Sequence, residues 1–311
     1  MDIIGGPAIR YTQPEHTYIW LVLDEKPLSI TVTVSAKSNL DSPIAISKAT
    51  PSNIIKLGDK LFNCLIKVTP TTGSFPIDTK LYYNVTVDNQ SLNDFGLIGG
   101  KGTITYKNEA LPSFLIPSSH SHILQGSCRK PHAANNSSHS QFDHMRTADL
   151  LLNKSISKTD KRPTMLCLTG DQIYADDVAL PLLCALKQKA KHYIGWTEEI
   201  PHAKDKSKTV IPDKLKLCGR NSTLTKSIGF TSGKKDNHLM TFGEYMMMYL
   251  AVWGGVTLTP PPYSAIVKDI AKITKKRHGK SSFRVTKLDY DSYEEQRAII
   301  NTFLELTFFI I

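Results

Sequence analysis

The sequence predicts an α+β chain in two domains: an antiparallel β-sandwich over residues 1–110, a linker at 111–118, and an α/β domain over 119–311. Three observations carry this. Before residue 110, runs rich in β-branched and aromatic residues recur between Pro, Gly, Asn and Asp clusters, with no helical period among them. After residue 118, apolar strand-like runs alternate with helical ones. Between the two, residues 111–117 (LPSFLIP) frame an apolar clip with two prolines.

Residues 17–23 (TYIWLVL), 28–35 (LSITVTVS), 60–69 (KLFNCLIKVT), 80–87 (KLYYNVTV) and 103–106 (TITY) read as strands. Their spacing suits an immunoglobulin-like sandwich of two sheets. Asn84-Val85-Thr86 fits a glycosylation acceptor. The first 30 residues lack the basic region and apolar core of a secretory signal, so that fit is a chance match. Past the linker, 122–127 reads as a buried strand, 128–140 as a loop and 142–152 as a helix. Residues 164–169 (TMLCLT) read as a second buried strand, Gly170-Asp171 as a tight turn, and about 176–191 as a helix. An irregular excursion fills 195–236. Residues 238–253 (HLMTFGEYMMMYLAVW) are apolar on nearly every face and predict a buried helix whose methionines fill the core.

Composition excludes several classes. With 41% apolar and 21% charged residues, general disorder is excluded. No run approaches the ~18 apolar residues of a membrane-spanning helix, so a cytoplasmic location is expected. Thirty-eight Lys and Arg against 28 Asp and Glu leave a formal charge of +10. The lysines cluster from Lys154 to Lys216 and at Lys275-Lys276-Arg277, without interleaved aromatics and without a nucleic-acid-binding motif. They read as solvated surface, or as a positive field that draws in an anionic substrate. Five cysteines, Cys64, Cys128, Cys167, Cys184 and Cys218, show no CxxC spacing, which points to a reducing compartment rather than a disulfide or zinc framework.

Chemistry concentrates at two strand ends. In Leu168-Thr169-Gly170-Asp171-Gln172-Ile173-Tyr174-Ala175-Asp176-Asp177, the first carboxylate falls at the carboxyl end of a predicted parallel strand, where ligands collect in open α/β sheets. Gly170 permits a sharp turn and a close approach. Asp171 can then be a hard oxygen ligand able to bridge two cations, or it can cap the following helix. Gly126-Ser127-Cys128-Arg129-Lys130-Pro131-His132 ends the other strand in the same way. Cys128 is either an inert thiol or, with Arg129 and Lys130 favouring its thiolate, a metal ligand. Tyr174 can reach the same ion as a phenolate. Cys, Asp and Tyr together favour ferric iron over zinc or magnesium. A cysteine-nucleophile hydrolase using Cys128 with His132 or His144 is the weaker reading, because no strand-to-helix elbow surrounds the cysteine.

GSCRKPH, then LTGDQIYADD, then IGFTS…NHL…FGEYMMMYLAVW over 228–253 resemble the PhoD-like alkaline phosphatase family of metallophosphoesterases. The likeness spans most of residues 110–255 by motif, and residues 1–110 only in texture. It implies metal-dependent hydrolysis of phosphate esters at a centre of iron and a divalent partner, calcium in the characterised type. It implies Cys128 and Tyr174 as iron ligands, Asp171 as the bridge, and Arg129 as a phosphate contact, with His132 a weaker candidate. Asp176 and Asp177 read instead as helix caps.

The chain departs from the family downstream. No Asp-Asp-His motif follows, and after Trp253 there are only Asp269, Asp289, Asp291 and His278. The final residues, Leu306-Thr307-Phe308-Phe309-Ile310-Ile311, resemble the start of the strand that carries that motif. A chain truncated at its C-terminus is therefore expected, with weak activity and with the Met246–Met248 helix poorly covered. The alternative is a non-catalytic binding protein or vestigial family member. Oligomeric state is not legible.

Overall fold

The computed structural model describes residues 1–311 apart from 101, 107–108, 130–144, 177, 234, 271–292, 299 and 302–311. Eight described strands build the first part: β1 (Ile3–Gln13), β2 (His16–Leu23), β3 (Ile30–Ser35), β4 (Pro43–Lys48), β5 (Ile54–Gly58), β6 (Leu61–Val68), β7 (Lys80–Val87) and β8 (Ser113–Leu115). They form two four-stranded antiparallel sheets, ordered β1-β2-β6-β5 and β4-β3-β7-β8. Alternation drives this: along β7 every second residue (Leu81, Tyr83, Val85, Val87) is buried. These meet Ile19, Leu21, Cys64 and Ile66 of the other sheet in one core. Each such buried aliphatic side chain stabilises the fold by about 1.5–3 kcal/mol.

Several expectations change here. Residues 103–106 are not a strand; they form a bend in which Ile104 N–H donates to Leu97 O at 3.0 Å. β1, β4 and β5 join the expected strands. Residues 113–115, read as linker, are β8, an edge strand of the second sheet paired with β7. Phe114 and Ile116 belong to the sandwich core. The apolar clip between the prolines is therefore held by burial, not by chain stiffness.

The second part contains β9 (Ile123–Gly126), α1 (Met145–Ser155), β10 (Met165–Leu168), α2 (Leu180–Ile194), β11 (Ile200–Pro201), β12 (Thr209–Val210), α3 (Asn221–Thr223), α4 (Phe242–Trp253) and α5 (Tyr263–Ile266). β9 and β10 pair in parallel, as the strand–helix–strand order predicts. Neither is a buried strand: no residue of either is fully buried, and Ile123 is 51% exposed. α4 starts at Phe242, four residues later than expected. Thr241 caps it, accepting from Glu244 N while the Glu244 side chain returns to the cap. Met247 and Met248 are buried, so this helix is well covered.

A second core explains why. α2 and α4 pack on each other and against the outer face of the first sheet, bringing Ile4, Val22 and Leu61 into one cluster with Leu182, Leu186, Met247 and Leu250. Further ties hold the two parts together. Asp59 and Lys60 donate their N–H groups to Ile194 O and Tyr193 O, both at 2.9 Å. Buried Arg162, just before β10, donates to Ser113 Oγ at 3.1 Å and to Ser113 O at 2.5 Å.

Candidate functional site

The parallel register runs Ile123↔Met165 to Gly126↔Leu168, so both strands stop level and their next residues leave from one end. Thr169 N–H donates to Gly126 O at 2.9 Å, and Arg129 N–H donates to Asp171 O at 2.7 Å. Two loops separated by some forty residues of sequence are thus zipped together. Gly170 is required by this closeness: a Cβ there would fall 2.1 Å from Ser127 Oγ and 3.3 Å from Cys128 N. Its φ does not lie in the left-handed region, so close approach rather than a special turn explains the glycine. Cys128 is the residue here with a positive φ, +54°, and it is exposed.

Cys128, Tyr174 and Asp171 come together at this end. Ser127 Oγ lies 3.3 Å from Cys128 Sγ, and the Tyr174 hydroxyl is hydrogen-bonded to the same sulfur. The hydrogen bond from Ser127, then that from Tyr174, hold the Cys128 thiol below its ordinary pKa, while the negative charge of Asp171 opposes them. Tyr174 shifts the other way. Its hydrogen bond to Cys128 is the main cause, with slight burial and the charges of Cys128, Asp171 and Asp176 adding to it. Both the thiol and the phenol therefore feel the Asp171 carboxylate.

The capping alternatives for Asp171 and Asp176 fail. α2 begins at Leu180, its N-cap is Ala179, and no side chain caps it. Asp171 lies eight residues before that cap, and Asp176 instead accepts from Ser232 Oγ at 3.1 Å. Leu239 N–H donates to Ala175 O at 2.8 Å. Ser232 and Leu239 thus lie against the Asp171–Asp176 loop, a contact that strand-end reasoning alone does not reach.

Arg129 turns its side chain to the end of α4. Its Nη1 donates to Val252 O at 3.2 Å, and its Cζ sits 4.5 Å from the centre of the Trp253 ring. Lys130, His132, His144 and Asp177 lie outside the described residues. His238 is buried, with Nδ1 2.7 Å from Leu239 O and its ring edge-on to Phe230, which marks a packing role.

One buried feature escaped sequence reasoning: the Arg220–Glu244 pair, 1% and 2% exposed, with Arg220 donating to both carboxylate oxygens at 2.8 and 2.5 Å. Arg220 also donates to His238 O, and Glu244 accepts from Met240 N. The T-x-x-E pattern at Thr241–Glu244 would have revealed Glu244 as a cap. Nothing local marks its distant partner. A cavity of about 590 Å³ opens beside Ser121, His122, Ile123 and Leu151, at the amino end of β9 and away from Cys128.

Among the described residues no group of three or more His, Cys, Asp and Glu side chains is placed to hold a metal, and no helix is long and apolar enough to cross a membrane. A scan against models of known protein families, a search of curated proteins and a search of solved structures each return no match to this chain.

Proposed function

We propose that this chain acts in metal-dependent hydrolysis of phosphate esters, in the manner of the PhoD-like metallophosphoesterases. The supporting observation is the convergence of Cys128, Asp171 and Tyr174 at the carboxyl end of the β9–β10 pair. Their donor chemistry fits the implied ions. A thiolate, a phenolate and a carboxylate suit ferric iron, and Asp171, exposed and not used as a cap, is the hard oxygen ligand for a divalent partner such as calcium. When bound, such metals supply Lewis acidity towards a phosphoryl oxygen.

The chain's own groups do the rest. Ser127 stabilises the charged form of Cys128; Arg129, tied to Asp171 O through its backbone N–H, is the phosphate contact that the resemblance implies; and the net charge of +10 draws in an anionic ester. The five free thiols suit a reducing, cytoplasmic setting. A second reading, a non-catalytic binding protein or vestigial member, is favoured by one observation. Among the described residues the His, Cys, Asp and Glu donors do not make a set of three.

Turnover of a chromogenic phosphate ester, with iron and calcium supplied, separates the readings. Catalysis by this site predicts a fall of about 100-fold in Asp171→Asn. Turnover that is absent or indifferent to Asp171→Asn supports the non-catalytic reading instead.

A further inference from the structure

We propose that the amino end of the β9–β10 pair, together with the outer face of α1, docks an acidic amphipathic segment of a protein partner, one of whose apolar side chains sits in the cavity beside Ile123 and Leu151. This surface lies at the end of β9 away from Cys128, so the proposal does not depend on the hydrolase reading.

α1 turns one stripe inward. Leu152 and Ser155, continued by Ile156 just past its end, are buried at the i, i+3, i+4 spacing of a helix face. Its other side leaves Leu150 66% and Leu151 43% exposed. Ile123 and Met165, set side by side by the parallel register, are exposed on one face of the strand pair. A lone exposed leucine is ordinary. Here large apolar side chains from a helix and two strands adjoin, and such a patch marks a binding surface.

They meet at the cavity of about 590 Å³, which Ile123 and Leu151 line with Leu124 and Pro163. A hollow is filled by a protruding side chain, which a protein segment supplies and a bilayer surface does not. Charge sets the sign of that segment. His122 and Lys161 line the same cavity. Lys154 lies three residues from Leu151 on one helix face, and Lys158 opens the turn in which its carbonyl accepts from Lys161 N–H at 2.9 Å. All three lysines are exposed. Among the described lining residues only Asp160 carries a carboxylate. The surplus of cations favours Glu and Asp around the partner's apolar anchor.

Fluorescence anisotropy on the full chain, with a labelled helical peptide bearing leucines on one face and glutamates on the other, tests this. Binding is expected that weakens as salt is raised and when lysines replace the peptide's glutamates. It should fall about tenfold in Leu151→Ser and about threefold in Lys161→Glu. Lys161→Glu should in turn bind the lysine peptide more tightly than the wild-type chain does. Both positions are exposed, so circular dichroism should show the fold retained. No binding of the glutamate peptide, equal affinity for the two peptides, or an affinity untouched by Leu151→Ser would overturn the proposal. So would tighter binding to phosphatidylserine vesicles than to the peptide, or self-association in sedimentation that Leu151→Ser abolishes, because each assigns the surface a different occupant.

Discussion

Cys128 concentrates the chemistry at the scale of single residues. Its neighbours Ser127 and Tyr174 lower its pKa, whereas burial pushes the thiols of Cys64 and Cys184 up to about 12. The thiolate is the reactive form, so a lowered pKa carries reactivity to lower pH. Alkylation by iodoacetamide, followed by mass spectrometry across pH, should therefore label Cys128 first. Its half-maximal pH should lie below that of an ordinary thiol and move up in Ser127→Ala. Equal labelling of Cys64 and Cys128, or a profile untouched by Ser127→Ala, would contradict the arrangement. Residue identity made much of this legible, because Gly126-Ser127-Cys128 and Gly170-Asp171 each close an apolar strand-like run. The reason for Gly170 was not legible. Its need comes from Ser127 across the strand pair, a contact no local pattern encodes. In Gly170→Ala, Ser127 Oγ must rotate away, because an added Cβ would sit 2.1 Å from it. The same upward shift of the Cys128 profile is expected there, with the fold retained.

Elements show why some were found and others missed. β7 advertises itself by strict alternation, while β1 carries Gly5, Gly6 and Pro7, which weaken any strand signal. β9 and β10 were placed correctly but read as buried. Short apolar runs look alike whether or not further strands cover them. Their exposed faces, at Ile123 and Met165, follow from a two-stranded pairing among the described residues. The segment before α4 depends on the Arg220–Glu244 pair, which anchors the helix start and the chain at His238. Glu244→Gln leaves the Arg220 charge buried without its counter-charge. A loss of about 3–5 kcal/mol is expected in urea unfolding. A loss below about 1 kcal/mol would show that water reaches the pair.

At the scale of the whole molecule, two sheets and a helical layer share their packing. The sandwich was legible from composition and turn spacing; the layer that packs on its first sheet was not. Val22 lies next to Leu21 and Leu23 in β2 yet packs with α2 and α4 on the opposite face. A run that is apolar on both faces marks a strand covered on both sides. In TYIWLVL that signal was present, but it gives no identity for the second cover. Arg162 clamps β8, and Ile4 receives the chain after α4. Thermal unfolding should therefore follow one cooperative transition by both far-ultraviolet and near-ultraviolet circular dichroism. Two separated transitions would mean that the sandwich is autonomous.

The central claim is that Cys128, Asp171 and Tyr174 hold one metal centre. Titration of the full chain with ferric iron, followed in the visible spectrum, tests it most directly. A phenolate-to-iron charge-transfer band is expected that saturates at one equivalent, disappears in Tyr174→Phe and weakens in Cys128→Ser. A colourless protein, or a band that survives Tyr174→Phe unchanged, would contradict it.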